Sequence, residues 1–159
     1  IISPDVPRDI LKIAVIERHH ATGRIGLGLV KGFGFKYGAL ASSIAHDRYN
    51  IFVVGVNDDD MAFAVNTLSR SGGGIIFVNK RVVKAFIRLP IAGLLSNEPV
   101  EKVAQDLMRL RSVCTKAGSK LEEPFMTLSI LALSVIPELR ITDKGLVDVV
   151  KGEIVNLFL

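Results

Sequence analysis

The apolar residues of this chain fall into runs of changing period, and the period names the elements. Ile13-Ala14-Val15-Ile16, closed by Glu17, is short, continuous and β-branched, which predicts a strand over 13–17. Small and apolar residues from Ala39 to Ala45 and the run Ile51-Phe52-Val53-Val54-Gly55-Val56 bracket the polar stretch His46-Asp47-Arg48-Tyr49-Asn50. Two strands joined by a polar turn are expected there. Asn57-Asp58-Asp59-Asp60 offers short side chains to orphan backbone N–H groups and negative charge to the positive end of a helix dipole. Met61, Val65 and Leu68 follow at helical spacing until the glycines 72–74.

Two β-rich runs, 75–79 and 82–89, surround Lys80-Arg81 and predict a hairpin. Ser96 or Asn97 is placed to cap a second helix from near Pro99, and Val100, Val103, Ala104, Leu107, Leu110 and Cys114 keep helical spacing up to Gly118. Beyond it, the apolar stretch from Phe125 to Val135 and the punctuation by Pro137, Thr142-Asp143-Lys144-Gly145 and Lys151-Gly152 read as short strands joined by tight turns. Six glycines fall between Gly23 and Gly38, a density that regular elements avoid because each costs backbone entropy, so this stretch reads as a shaped loop. The expected fold is α+β: one domain over residues 1–159, with a mixed, largely antiparallel sheet and two or more helices packed on it.

Composition narrows the function classes. The 159 residues suffice for a core, and 49% hydrophobic with 23% charged residues is an ordinary globular balance. The net charge of +4 is scattered, Trp is missing and Tyr occurs twice, so neither a basic stripe nor a stacking platform for nucleic acid is expected. No apolar stretch approaches the ~20 residues of a membrane span. The start at Ile1 has no signal-peptide pattern and reads as a cut or processed end. A single cysteine, Cys114, reads as a core residue and suits a reducing, cytoplasmic setting.

Candidate chemistry is sparse. Gly26-x-Gly28-x-x-x-Gly32 and Gly32-x-Gly34-x-x-x-Gly38 have neither dinucleotide nor P-loop spacing, and tight turns are the better use of them. The three histidines, His19, His20 and His46, make no metal-ligand spacing with each other or with the cysteine, so no metal is expected on this chain. Asp58-Asp59-Asp60 lacks the rest of a calcium loop and is better explained by helix capping. The richest group is Ser42, Ser43, His46, Asp47 and Asn50, read either as a polar turn or as a cluster at the strand ends facing a substrate or another domain. No G-x-S-x-G nucleophile signature is present.

Ordered stretches along nearly the whole chain resemble the terminal domain of adenine deaminases. They are Glu17-Arg18-His19-His20-Ala21-Thr22-Gly23-Arg24, 28–34, Gly38 to Asp47, Asn50, 53–55, 57–61, 89–94, 123–129, 136–139 and 142–148. The resemblance implies a domain that completes or covers the active site of a metal-dependent amidohydrolase barrel, in an enzyme of purine salvage and adenine catabolism that hydrolyses adenine to hypoxanthine and ammonia. It implies manganese or iron in that barrel, which precedes this domain in the same or a neighbouring polypeptide, and a homo-oligomer. His46, Asp47 and Asn50 become candidates for the active-site shell, and Ser42, Ser43, Arg24, Lys31, His19 and His20 for contacts with substrate or barrel. Tyr49 stands where the family commonly has His, and Ser134 where it commonly has Pro. The other reading of the resemblance is a stand-alone, non-catalytic protein that binds a purine or a partner.

Overall fold

The computed structural model describes residues 3–46 and 48–158. Its main sheet has six strands, β1 (Ile10–Ile16), β2 (Ile25–Lys31), β3 (Ala39–Ser42), β4 (Ile51–Gly55), β5 (Gly74–Asn79) and β6 (Val82–Arg88), in the order β2-β1-β4-β3-β5-β6. Every pairing in it is antiparallel. The alternation of strand side chains sends Leu11, Ile13, Val15, Leu40, Phe52, Val54 and Phe77 to one face and Ala14, Ala39, Ala41, Val53, Ile76 and Val78 to the other. Both faces are therefore apolar, and each carries a layer.

Helix α1 (Asp58–Ser71) covers the second face over β3, β4 and β5 with Met61, Ala64 and Leu68. Its start follows the expectation: Asn57 Oδ1 accepts the Asp60 N–H at 2.8 Å, and Asp60 Oδ2 accepts from Asn57 Nδ2 at 2.9 Å. Asp60 also accepts the Arg81 N–H at 2.7 Å. That bond anchors the β5–β6 turn, where Lys80 and Arg81 both have positive φ. Helix α2 (Val100–Lys116) lies on the first face against β5 and β6, burying Leu110 and Cys114. It starts at Pro99 without a side-chain cap, and Ser96 Oγ instead accepts the Glu98 N–H.

Two further expectations need correction. The glycine-rich stretch is not a loop throughout, because Ile25–Lys31 is the regular edge strand β2. Gly26 and Gly28 point to the first face, where a second sheet comes so close that a Cβ on Gly26 would lie 1.9 Å from the Thr142 carbonyl oxygen. The glycines there serve close packing, and the hydrogen-bonded ladder offsets their entropic cost. Likewise the run from Phe125 opens not as a strand but as helix α3 (Pro124–Ile130), with Pro124 at its start and Leu128 fully buried. The short strands follow it: β7 (Leu139–Thr142), β8 (Gly145–Asp148) and β9 (Glu153–Val155), an antiparallel three-stranded sheet lying across β1 and β2. The result is the α+β architecture expected, with three α-helices and two sheets among the described residues.

Candidate functional site

The antiparallel register brings three loops to one end of the main sheet. Ile16 pairs with both Ile25 and Ile51, and Ser42 pairs with Phe52 and Ile75. The loops 17–24, 43–50 and 89–95 therefore meet there, and the β7–β8 turn at Asp143-Lys144 reaches over from the second sheet. Among the described residues they enclose an open polar basin of about 240 Å³, walled by Glu17, His19, His20, Arg24, Arg48, Asn50, Asp143 and Lys144.

Glu17 shapes the first loop. Its carboxylate accepts the N–H groups of His19 (2.5 Å), His20 (2.8 Å) and Thr22 (3.1 Å) and the Thr22 hydroxyl (2.9 Å). Burial pushes its carboxyl pKa up, but these donors outweigh burial and hold it at about 2. His19 closes the gap to the 43–50 turn, its Nε2–H donating to the Arg48 carbonyl at 2.8 Å. Arg18 spans two loops from below, with Nε donating to the Tyr49 carbonyl at 2.5 Å and Nη2 to the Ala92 carbonyl at 2.7 Å. Gly93 lies beside this guanidinium with φ of 74°, a backbone conformation that favours glycine, and a Cβ there would also crowd the guanidinium at 2.4 Å.

The floor is built by Asp143. This buried carboxylate takes Arg24 Nε at 3.0 Å and Asn50 Nδ2 at 3.3 Å, joining the start of β2, the start of β4 and the second sheet. Asn50 is 4% exposed, and its Oδ1 has no donor among the described residues. The amide orientation follows from chemistry, since only the NH₂ group can face the Asp143 carboxylate.

The candidates named from the sequence separate accordingly. Arg24, His19, His20 and Asn50 converge on the basin. His46 is exposed on the adjoining turn, and Asp47 lies outside the described residues. Ser42 and Ser43 point inward: Ser42 Oγ accepts the Ile44 N–H, while Ser43 Oγ accepts the Gly74 N–H at 2.8 Å and donates to the Gly93 carbonyl at 2.6 Å. Lys31 lies at the opposite end of the sheet, paired with Ile10. Glu17, Arg48, Asp143 and Lys144 were not anticipated as wall residues. An acidic residue directly after the apolar run 13–16 was the available signal for Glu17, whereas Asp143 reaches its partners across 93 and 119 residues. The glycine triplets hold no free N–H cradle, because Asp9 accepts from Gly32 N at 3.0 Å and Gly34 N at 2.7 Å. Among the described residues no three His, Cys, Asp or Glu side chains gather closely enough to hold a metal ion.

Comparison with known proteins agrees with the ordered motifs. The family described as the adenine deaminase C-terminal domain matches residues 1–153. The chain is 53% identical over 155 residues to an adenine deaminase of Brucella melitensis, covering 98% of this chain and 27% of that protein. It is 54% identical over 154 residues to that of Desulfatibacillum aliphaticivorans, covering 97% and 27%. With an adenine deaminase of Clostridium botulinum the identity is 48% over 155 residues, covering 98% and 26%. The chain thus spans about a quarter of the length of the curated relatives it matches.

Proposed function

Because the chain belongs to the adenine deaminase C-terminal domain family, we propose that residues 1–159 act as that domain of an adenine deaminase, closing the mouth of a metal-dependent barrel in the same or a neighbouring polypeptide. The reaction served is hydrolysis of adenine to hypoxanthine and ammonia, as part of purine salvage. Among the described residues no His, Cys, Asp or Glu cluster suits a divalent metal; in this reading manganese or iron sits in the barrel, and the contribution here is shape, water exclusion and hydrogen bonding. One observation carries the reading. A buried acceptor left without a donor costs about 1–3 kcal/mol, and Asn50 Oδ1 is such an atom, held rigidly at the bottom of an open basin. In this reading a group of the barrel or of the substrate supplies that donor.

The flank of the basin supports a docked neighbour. Directly after Arg24, strand β2 turns Ile25 (55% exposed), Leu27 (48%) and Leu29 (36%) outward on the face that α1 leaves uncovered. Outward positions on an edge strand are normally polar. In this reading the enzyme is a cytoplasmic homo-oligomer; no helix of the described residues is long and apolar enough to cross a membrane.

Two assays test the proposal. This chain alone, given adenine and manganese, should show no turnover, and robust deamination would overturn the assignment of chemistry to the barrel. In the full-length enzyme, His46→Ala should lower kcat/KM while leaving the melting curve in place; wild-type rates would remove the turn from the active-site shell.

A further inference from the structure

Strand β2 closes one side of the main sheet, with β1 as its single neighbour among the described residues. The ladder between them decides which backbone groups stay free. Glu17 N–H donates to the Arg24 carbonyl at 3.1 Å, continuing the register in which Ile16 faces Ile25. At the other end Gly32 N–H likewise turns towards β1, donating to Asp9. In an antiparallel ladder such hydrogen-bonded pairs recur at every second residue. Gly26, Gly28 and Val30 therefore direct their N–H and C=O groups to β1, and those of Ile25, Leu27 and Leu29 point out from the open edge.

The same three residues are 55%, 48% and 36% exposed, because their side chains lie on the face that α1 leaves bare. Folded proteins ordinarily suppress an edge that joins free backbone groups to an apolar stripe. The opposite edge shows the suppression: β6 carries Lys84 and Arg88 at exposed positions, and a bulge at Phe77/Val78 disturbs its ladder with β5. Strand β2 carries a single charge, Lys31, at its last position.

We propose that this edge pairs with the β2 edge of a second copy of the chain, antiparallel about a two-fold axis at Leu27. The order Ile25-Gly26-Leu27-Gly28-Leu29 has the same pattern from either end, apolar residues alternating with glycines. A two-fold contact needs a surface that complements itself, and this symmetry is what singles out a second copy. With Leu27 opposite its own counterpart, Ile25 meets Leu29 of the second copy. Both are hydrogen-bonded pairs, so this register uses the groups that β1 leaves free. The apolar side chains of the two copies then form one strip across the junction, removing from water area that neither covers alone. Gly26 faces Gly28 on the other side of the sheet. The two Lys31 side chains fall beyond the paired segment at its opposite ends, so no like charges oppose each other. The pairing is independent of the reaction the enzyme carries out.

Sedimentation of the whole chain and cysteine cross-linking test it. At roughly 100 µM the chain should sediment as a dimer, and Leu27→Glu, which sets two carboxylates against each other at the axis, should weaken dimerisation about a hundredfold or more with its far-UV spectrum unchanged. Hydrogen-bonded pairs hold their Cα atoms about 5.5 Å apart, within disulfide reach. Leu27→Cys should therefore oxidise to a covalent dimer about tenfold faster or more than Leu29→Cys, whose two copies lie roughly 13 Å apart. Cys114 is buried and provides the silent background. A monomer at that concentration, an unweakened dimer in Leu27→Glu, or equal cross-linking of the two cysteine variants would each overturn the proposal. None of these outcomes alters the turnover expected of the isolated chain or of the His46→Ala enzyme.

Discussion

Gly26 and Gly28 lie two residues apart on the same face of β2, yet the structure assigns them different tolerances. A Cβ on Gly26 would meet the Thr142 carbonyl oxygen at 1.9 Å and Gly145 N at 3.2 Å, both backbone atoms of the β7–β8 turn. Ordinary contact begins near 3.4 Å, so the two sheets would have to part by about 1.5 Å. A Cβ on Gly28 would instead meet the tips of Ile141 at 2.9 Å and Ile13 at 3.2 Å, which can yield by small side-chain rotations. Overpacking against immovable backbone belongs at or beyond the upper end of the usual 1–3 kcal/mol, so Gly26→Ala should cost about 3 kcal/mol. Gly28→Ala should cost about 1 kcal/mol, partly offset by the reduced entropy of the unfolded chain. In a domain of this size the difference of about 2 kcal/mol corresponds to a melting-temperature gap of roughly 4–8 °C. Urea unfolding of both variants measures it, and equal stabilities would refute the close approach of the sheets. Separation at Thr142 also moves Asp143, so the Asn50 side-chain NH₂ resonances should shift in Gly26→Ala and stay in Gly28→Ala.

Glu17 predicts an acid dependence. Its folded pKa of about 2 lies below the ordinary value of 4.5, so its contribution is present above pH 4.5 and is lost as pH falls towards 2. Glu17→Gln should therefore lower the urea midpoint at pH 7 and flatten its decline between pH 5 and 2.5, and parallel pH profiles for the two proteins would contradict the carboxylate's role. Ser43→Ala leaves the buried Gly74 N–H and Gly93 carbonyl without their bonds, which should cost about 2–3 kcal/mol in denaturant unfolding. A loss under about 0.5 kcal/mol would mean that the clamp between the β4 approach and the 89–95 loop contributes little.

What the sequence disclosed and what it withheld divide along a physical line. The hairpin at Lys80-Arg81, the Asn57 cap and the lower half of α2 depend on neighbours within a few residues, and period and turn chemistry registered them. Strand β2 did not register, because its reason for glycine is the Thr142 carbonyl more than a hundred residues away. Helix α3 did not register either: Met126-Thr127-Leu128-Ser129-Ile130 alternates apolar and polar residues as a strand does. The basin shows the same division. His19, His20, Arg24 and Asn50 were visible as polar residues at element ends, whereas Asp143, which joins two of them, read as part of a tight turn.

The backbone at this end bears on the departure at Tyr49. Ala21, Tyr49 and Ala92 all have φ between 49° and 56°, a left-handed conformation that costs a non-glycine residue roughly 1 kcal/mol or more. Asp9, Lys80 and Arg81 share it at the other end of the sheet, but there the hairpin turn and a helical cap account for it. At the basin, Arg18 holds the carbonyls of Tyr49 and Ala92, so two of the three strained residues are fixed through main-chain atoms. The Tyr49 side chain is 40% exposed and takes no part in that tie. If the family carries histidine at position 49, as the resemblance implies, the tie through main-chain atoms does not depend on which of the two side chains stands there. Tyr49 offers no imidazole at this position, whereas the Asn50–Asp143–Arg24 tie is complete in this chain.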